Sequence, residues 1–243
     1  MTNSISSITT IGLDADDTLW HNESIFHLTQ DQYVGLLKDH GDPDHMKARL
    51  QEVEIRNLRL YGYGVKSFTL SMIETAIDLT RGAVPAKTIA AIMDLGRAML
   101  EHPVEPLPGV AETLQALKDS RYRLVMITKG DLLNQEQKLA RSGLGEQFDA
   151  IEIVSEKDAN TYRRVVARQG VRADESVMIG NSMKSDVLPA LEAGLWGVHI
   201  PYHITWAHEH AEPPAESPRF AKLETIAEVP DWLASAGRPA GHA

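Results

Sequence analysis

Between residues 110 and 200 short apolar runs alternate with helical patterns, and this alternation constrains the fold more than any other feature. Val110, Leu114 and Leu117 stand at helical spacing. Residues 123–128 form an apolar run, and Asp131 stands where the N-cap of the next helix belongs, with Gly143 at its end. Residues 148–154, 176–179 and 196–200 read as further strands. Helices fit 160–169 and about 185–193, stopped by Gly170 and Gly194. Strands separated by helices predict an α/β fold, a Rossmann-like parallel sheet with helices on both faces.

Residues 8–13 are a further strand of the same character, but it is followed by acids, Asp14, Asp16 and Asp17. Unpaired acids are costly to bury, so the chain has to leave the core at Asp14. The first strand is then separated from its sheet by a long strand-free stretch. Apolar residues recur at helical spacing over 23–39, 44–60, 68–80 and 86–101, with glycine-bearing breaks at Gly41, Gly62, Gly64 and Gly82. The expected organisation is an α/β core of residues 1–20 and 108–243 with an inserted all-helical cap of residues 21–107. The segment 223–232 is expected to close the core, and 237–243 to be a frayed tail.

Composition narrows the function. The 243 residues carry a formal net charge of −10 and no cysteine. A chain this acidic lacks the basic face that nucleic acid requires, and thiolate metal sites and thiol nucleophiles are excluded. No run approaches the length of a membrane span. No basic, apolar leader precedes residue 14, so the expected compartment is the cytoplasm. The chain is expected to engage no nucleic acid and no membrane, and to be a monomer or homodimer.

In a parallel sheet the carboxyl ends of the strands converge on one crevice. Here those ends carry Asp14 and Asp16, then Thr128, Lys129 and Gly130, then Lys157, then Asn181 and Asp186. Each alone has an ordinary reading: a strand-end hydroxyl, a solvated lysine, an acid in the first turn of a helix. Together they suit phosphoryl transfer. A carboxylate such as Asp14 can attack phosphorus. Mg²⁺ held by Asp14, Asp16 and the 181–186 loop would supply positive charge. Lys157 would neutralise the nucleophile, while Thr128, Lys129 and Gly130 would hold phosphoryl oxygens. Asp16 would move the proton. His203, His208 and His210 read as an exposed polar loop rather than a metal site, and Tyr61, Tyr63 and Lys66 as flanking an ordinary turn between helices.

The run Asp14-Ala15-Asp16-Asp17-Thr18 resembles the first motif of the haloacid dehalogenase-like hydrolase superfamily. Thr128, Lys157 and the segment from Gly180 to Asp186 are similar to its other three motifs, and the helical insert to the cap of its phosphoglycolate-phosphatase-like branch. The resemblance implies a Mg²⁺-dependent phosphatase, its partner a small phosphorylated metabolite, with Asp14 as nucleophile and Asp16 as general acid and base. Three positions depart from the pattern: Asn181 stands where Asp is usual, Asp158 follows Lys157 in place of Pro, and Lys129 follows Thr128. Two alternatives stay open. A metal-independent 2-haloacid dehalogenase is disfavoured by Asp16. A phospho-accepting signalling module is disfavoured by the chain's length and insert.

Overall fold

The computed structural model describes residues 8–235; the expected tail at 237–243 lies outside them. In chain order the elements are β1 (Thr10–Leu13), α1 (Glu23–Leu36), α2 (Pro43–Tyr61), α3 (Val65–Leu79), α4 (Ala86–Glu101), α5 (Val110–Asp119), β2 (Arg123–Lys129), α6 (Leu132–Ser142), β3 (Ala150–Val154), α7 (Ala159–Gln169), β4 (Ser176–Gly180), α8 (Leu188–Glu192), β5 (Trp196–His199), β6 (Phe220–Lys222) and α9 (Val229–Ser235). The six strands form one parallel sheet in the order β3-β2-β1-β4-β5-β6. It is the Rossmann-like α/β fold that the alternation predicts.

The central strands β1, β2 and β4 are mostly apolar because both faces are covered. Successive side chains point to opposite faces. Leu124, Met126, Val177 and Ile179 therefore pack with Val110, Leu114 and Leu117 of α5 and with Val229 and Leu233 of α9. Val125, Ile127 and Met178 pack on the other face with Tyr162 and Val165 of α7 and Ala190 of α8. β1 lies between β2 and β4, with Thr10 opposite both Arg123 and Ser176. Its carboxyl end is thereby enclosed between two others.

The described residues divide into two compact units, one comprising residues 8–21, 104–129 and 139–235, the other Asn22–Pro103 and Gly130–Lys138. The second holds α1 to α4 around its own core of Tyr33, Leu37, Met46, Leu50, Phe68, Met72 and Ile92. Asp42 starts α2 by accepting from the backbone N–H groups of Asp44 and His45, with Pro43 at the first helical position. Gly62, at φ 71°, ends it in the left-handed region where a side chain would be strained. On either side of the turn that follows, Tyr61 is exposed and the Lys66 ammonium pairs with Asp131.

Two elements differ from the sequence reading. Residues 220–222 are a sixth strand, too short and too mixed to show a strand pattern. The helix expected from about residue 185 opens with a π-turn over Met183–Val187 before α8 begins. Such turns recur at functional sites, because they let one side chain leave the helical register.

Candidate active site

The first motif is a tight turn built on β1. The backbone N–H of Asp14 still bonds Ile179 of β4 at 2.9 Å, so the sheet fixes where Asp14 leaves it. The Leu19 N–H then returns to the Ala15 carbonyl at 2.8 Å, and the Asp17 N–H to the Trp20 carbonyl at 2.8 Å. Asp17 takes φ 64°, which an aspartate tolerates better than most residues. The Asp16 carboxylate accepts from the indole N–H of Trp20 at 2.7 Å. Trp20 is fully buried, so Asp16 is oriented by a rigid partner.

Asp14, Asp186 and Lys157 form the buried centre. The Lys157 ammonium donates to Asp14 Oδ1 and to Asp186 Oδ1, the latter at 2.7 Å. All three side chains are nine-tenths or more buried. Two carboxylates thus share one ammonium. Burial and the facing Asp186 push Asp14 up to about 7, although Lys157 pulls the other way. Burial alone would lower Lys157, but Asp14 and Asp186 outweigh it and hold the lysine charged. The Asp158 carboxylate anchors the backbone beside Lys157 by accepting from the Thr161 N–H at the start of α7.

The loop after β4 seats Asp186 from several sides. Its Oδ2 accepts from the Ser182 N–H at 2.9 Å. A Cβ on Gly180 would stand 2.2 Å from that same oxygen, so only glycine leaves room for the carboxylate. The Ser182 hydroxyl accepts from the Ser185 N–H, and the Tyr162 hydroxyl donates to the Ser185 carbonyl at 2.9 Å. His199 bonds the Asn181 carbonyl through Nε2 at 3.0 Å. Asn181 itself is tied to the first motif: its N–H donates to Thr18 Oγ1 at 3.1 Å. That hydroxyl has Asp14 Oδ2 at 3.2 Å and Asn181 Oδ1 at 3.4 Å as acceptors.

The β2 end is built differently. Thr128 is buried, and its hydroxyl bonds the Lys129 carbonyl at 3.2 Å. The Lys129 ammonium donates to Ser185 Oγ at 2.8 Å and to Glu209 Oε1 at 2.7 Å, with Glu156 at 3.6 Å. Gly130 takes φ 138° and belongs to the segment that groups with the helical unit. Asp131 caps α6 by accepting from the Asn134 N–H.

Asp14, Lys157 and Asp186 are therefore in direct contact, Asn181 joins them through Thr18, and Lys129 joins the loop of Asp186 through Ser185. Sequence reasoning missed Glu209, Tyr162 and His199. The loop of His203, His208 and His210, read as exposed and polar, contributes the mostly buried Glu209, whose carboxylate also accepts from the Ser182 and Ser185 hydroxyls. Burial would raise this carboxyl, but Lys129 and the two hydroxyls hold it down at about 2. No local pattern marks Glu209; the one available signal was an acid flanked by His208 and His210 in an otherwise uncommitted loop.

Among the described residues no three His, Asp or Glu side chains converge as a metal cage. The donors near Asp14 are all oxygens, from two carboxylates and an amide, and one ammonium faces two carboxylates. That set suits a hard divalent cation that keeps several waters, as Mg²⁺ does.

A family model of haloacid dehalogenase-like hydrolases matches residues 8–194. The chain belongs to the haloacid dehalogenase-like hydrolases and is a hydrolase. It is 32% identical over 194 residues to a glyceraldehyde 3-phosphate phosphatase of Methanocaldococcus jannaschii, covering 77% of this chain and 82% of that one. Its identity to the protein of that name from Methanothermobacter thermautotrophicus is 25% over 210 residues, covering 82% and 88%. A solved haloacid dehalogenase-like family hydrolase from Xanthomonas campestris is 42% identical and superposes with a TM-score of 0.84, over 96% of this chain and 94% of that one.

Proposed function

We propose that this hydrolase is a Mg²⁺-dependent phosphatase for small phosphate monoesters, acting through an aspartyl-phosphate on Asp14. The observation that carries the reading is Lys157 buried between Asp14 and Asp186. A nucleophilic carboxylate meets an anionic substrate only if nearby positive charge offsets the repulsion. Lys157 holds one unit of it against Asp14.

Asp14 Oδ2, which faces Thr18 rather than the lysine, is the oxygen assigned to attack phosphorus. Asp16 protonates the departing alkoxide and then takes a proton from the water that cleaves the acyl phosphate. Its bond to Trp20 aims the carboxylate. The Thr128 hydroxyl and the backbone N–H groups after it hold the phosphoryl oxygens. Asp14, Asn181, Asp186 and the backbone carbonyl of Asp16 would hold Mg²⁺, which when bound supplies the charge that one ammonium cannot. The helical insert, residues 21–107, is assigned the choice of substrate.

The curated relatives carry the name of a triose-phosphate phosphatase, so a triose phosphate is the first ester to try. The experiment measures phosphate release from a panel of esters with Mg²⁺ and with chelator. Turnover dependent on Mg²⁺ is expected. Metal-independent halide release from a 2-haloacid, without phosphate release, would replace this reading with the dehalogenase.

A further inference from the structure

We propose that Glu209, on the loop between β5 and β6, is a positioning residue of this site. It holds the Lys129 end of β2 and the Ser182–Ser185 turn in one arrangement, and through that turn it holds Asp186. The proposal rests on the phosphatase reading for its kinetic consequence, and on geometry alone for the hold itself.

The geometry is specific. One carboxylate oxygen of Glu209 takes the Lys129 ammonium at 2.7 Å. The other takes the hydroxyls of Ser182 and Ser185. Lys129 returns to Ser185 Oγ at 2.8 Å, closing a ring of three side chains around the carboxylate. Ser182 also donates its N–H to Asp186 and caps the π-turn at Ser185, so the clamped residue is the one that seats the buried acid. The next residue to Lys129 on the amino side is Thr128. Glu209 therefore joins the ends of β2 and β4, whose residues are far apart in sequence and are not neighbours in the sheet, since β1 lies between them.

The loop carrying Glu209 is fastened elsewhere too. The Tyr202 hydroxyl lies 2.6 Å from His21 Nδ1, just past the first motif. The Lys184 ammonium donates to the His208 carbonyl at 2.7 Å. Within the loop the rings of Tyr202 and His203, and of Trp206 and His208, pack in tilted pairs. A loop rich in proline and histidine, with no strand or long helix of its own, is thus ordered by contacts to three motif-bearing segments. Fixing charge-bearing groups to within a fraction of an ångström is worth large factors in rate. A carboxylate bonded to a lysine and two serine hydroxyls supplies such a fix.

The test uses Glu209→Gln, which keeps the shape and loses the charge, and Glu209→Ala, which removes the clamp. Turnover and hydrogen exchange are measured on the full chain. The expected result is a fall in kcat of about tenfold for Gln and about a hundredfold for Ala, with KM changed less than about threefold. Faster exchange should appear over 182–187. Adding Lys129→Met to Glu209→Gln should cost less than the two separate losses combined, as for residues acting as one unit. Unchanged exchange over 182–187, or unchanged kcat with only a lower melting temperature, would overturn the proposal. If the wild-type protein hydrolyses no phosphate ester, the phosphatase reading fails and exchange alone decides the hold of Glu209. If Ala does not fold, Gln carries the same decision.

Discussion

Asp14 in the α/β unit and Glu54 in the helical unit are both carboxylates pushed up by burial, to about 7 and about 8. Their surroundings differ. Asp14 touches Lys157 and Thr18, and every acid and base near it is held by further hydrogen bonds. Glu54 has a buried oxygen, Oε2, with no hydrogen-bond partner, and the like-signed Glu23 adds to the upward push of burial. The helical unit otherwise keeps its charges outside, in pairs such as Arg49 with Asp78 and Arg56 with Glu74. Buried charge costs several kcal/mol per ion unless paired. In one unit that cost is organised around a chemical site. In the other it falls on a single side chain with no such organisation.

The sharpest way to test the contrast is Asp14→Asn. Loss of the proposed nucleophile should lower turnover at least about a thousandfold. The same change should stabilise the metal-free protein at pH 8. A carboxyl raised by folding contributes stability below its unfolded value of 3.8 and loses it as pH rises through about 7. Removing that charge leaves Lys157 paired one to one with Asp186. A melting temperature above wild type at pH 8, converging at pH 4, is the expected pattern. Retained turnover would remove Asp14 as nucleophile.

A smaller effect separates the two regions by glycine. Gly180→Ala must displace the Asp186 carboxylate, because the new Cβ falls 2.2 Å from Oδ2. Overpacking of this kind costs about 1–3 kcal/mol, and the misplaced acid should lower kcat about tenfold or more. Gly35, inside α1 with nothing within 4 Å of a Cβ, is the matched control. There alanine should stabilise by about 0.5–1 kcal/mol and leave kcat alone. Equal effects at both positions would mean that Asp186 relaxes freely.

The same contrast governs how much the sequence shows. Strands β1 to β5 are legible as apolar runs because the sheet is covered on both faces, and helices α1 to α7 because burial imposes a period of 3.6 on their apolar residues. The contact of Asp14, Lys157 and Asp186 is legible because each stands at or just past a strand end, and a parallel sheet brings such ends together. Glu209 is not legible, since its partner Lys129 lies 80 positions away and its loop has no period at all. The π-turn at 183–187 is not legible either: the slip depends on Ser182, Tyr162 and the buried Asp186 meeting in space. In the helical unit periodicity locates the helices but says nothing of Glu54, one of several charged residues along α2.

Glu54→Gln is the mildest probe and the one that isolates the helical unit. The raised carboxyl contributes its stability below the unfolded value of 4.5 and loses it as pH climbs through about 8. Glutamine keeps the shape without the ionisation, so it should raise the melting temperature at pH 9 and not at pH 5. Water reaches part of the side chain, so the gain is about 1–2 kcal/mol, or roughly 2–8 °C for a chain of this size. Glu54 has no part in the proposed chemistry, so kcat with Mg²⁺ should stay at the wild-type value. Differential scanning calorimetry at the two pH values checks the first point and ester hydrolysis the second. Equal melting shifts at pH 5 and pH 9 would show that Glu54 is neutral or paired throughout, and the contrast with Asp14 would then rest on the active site alone.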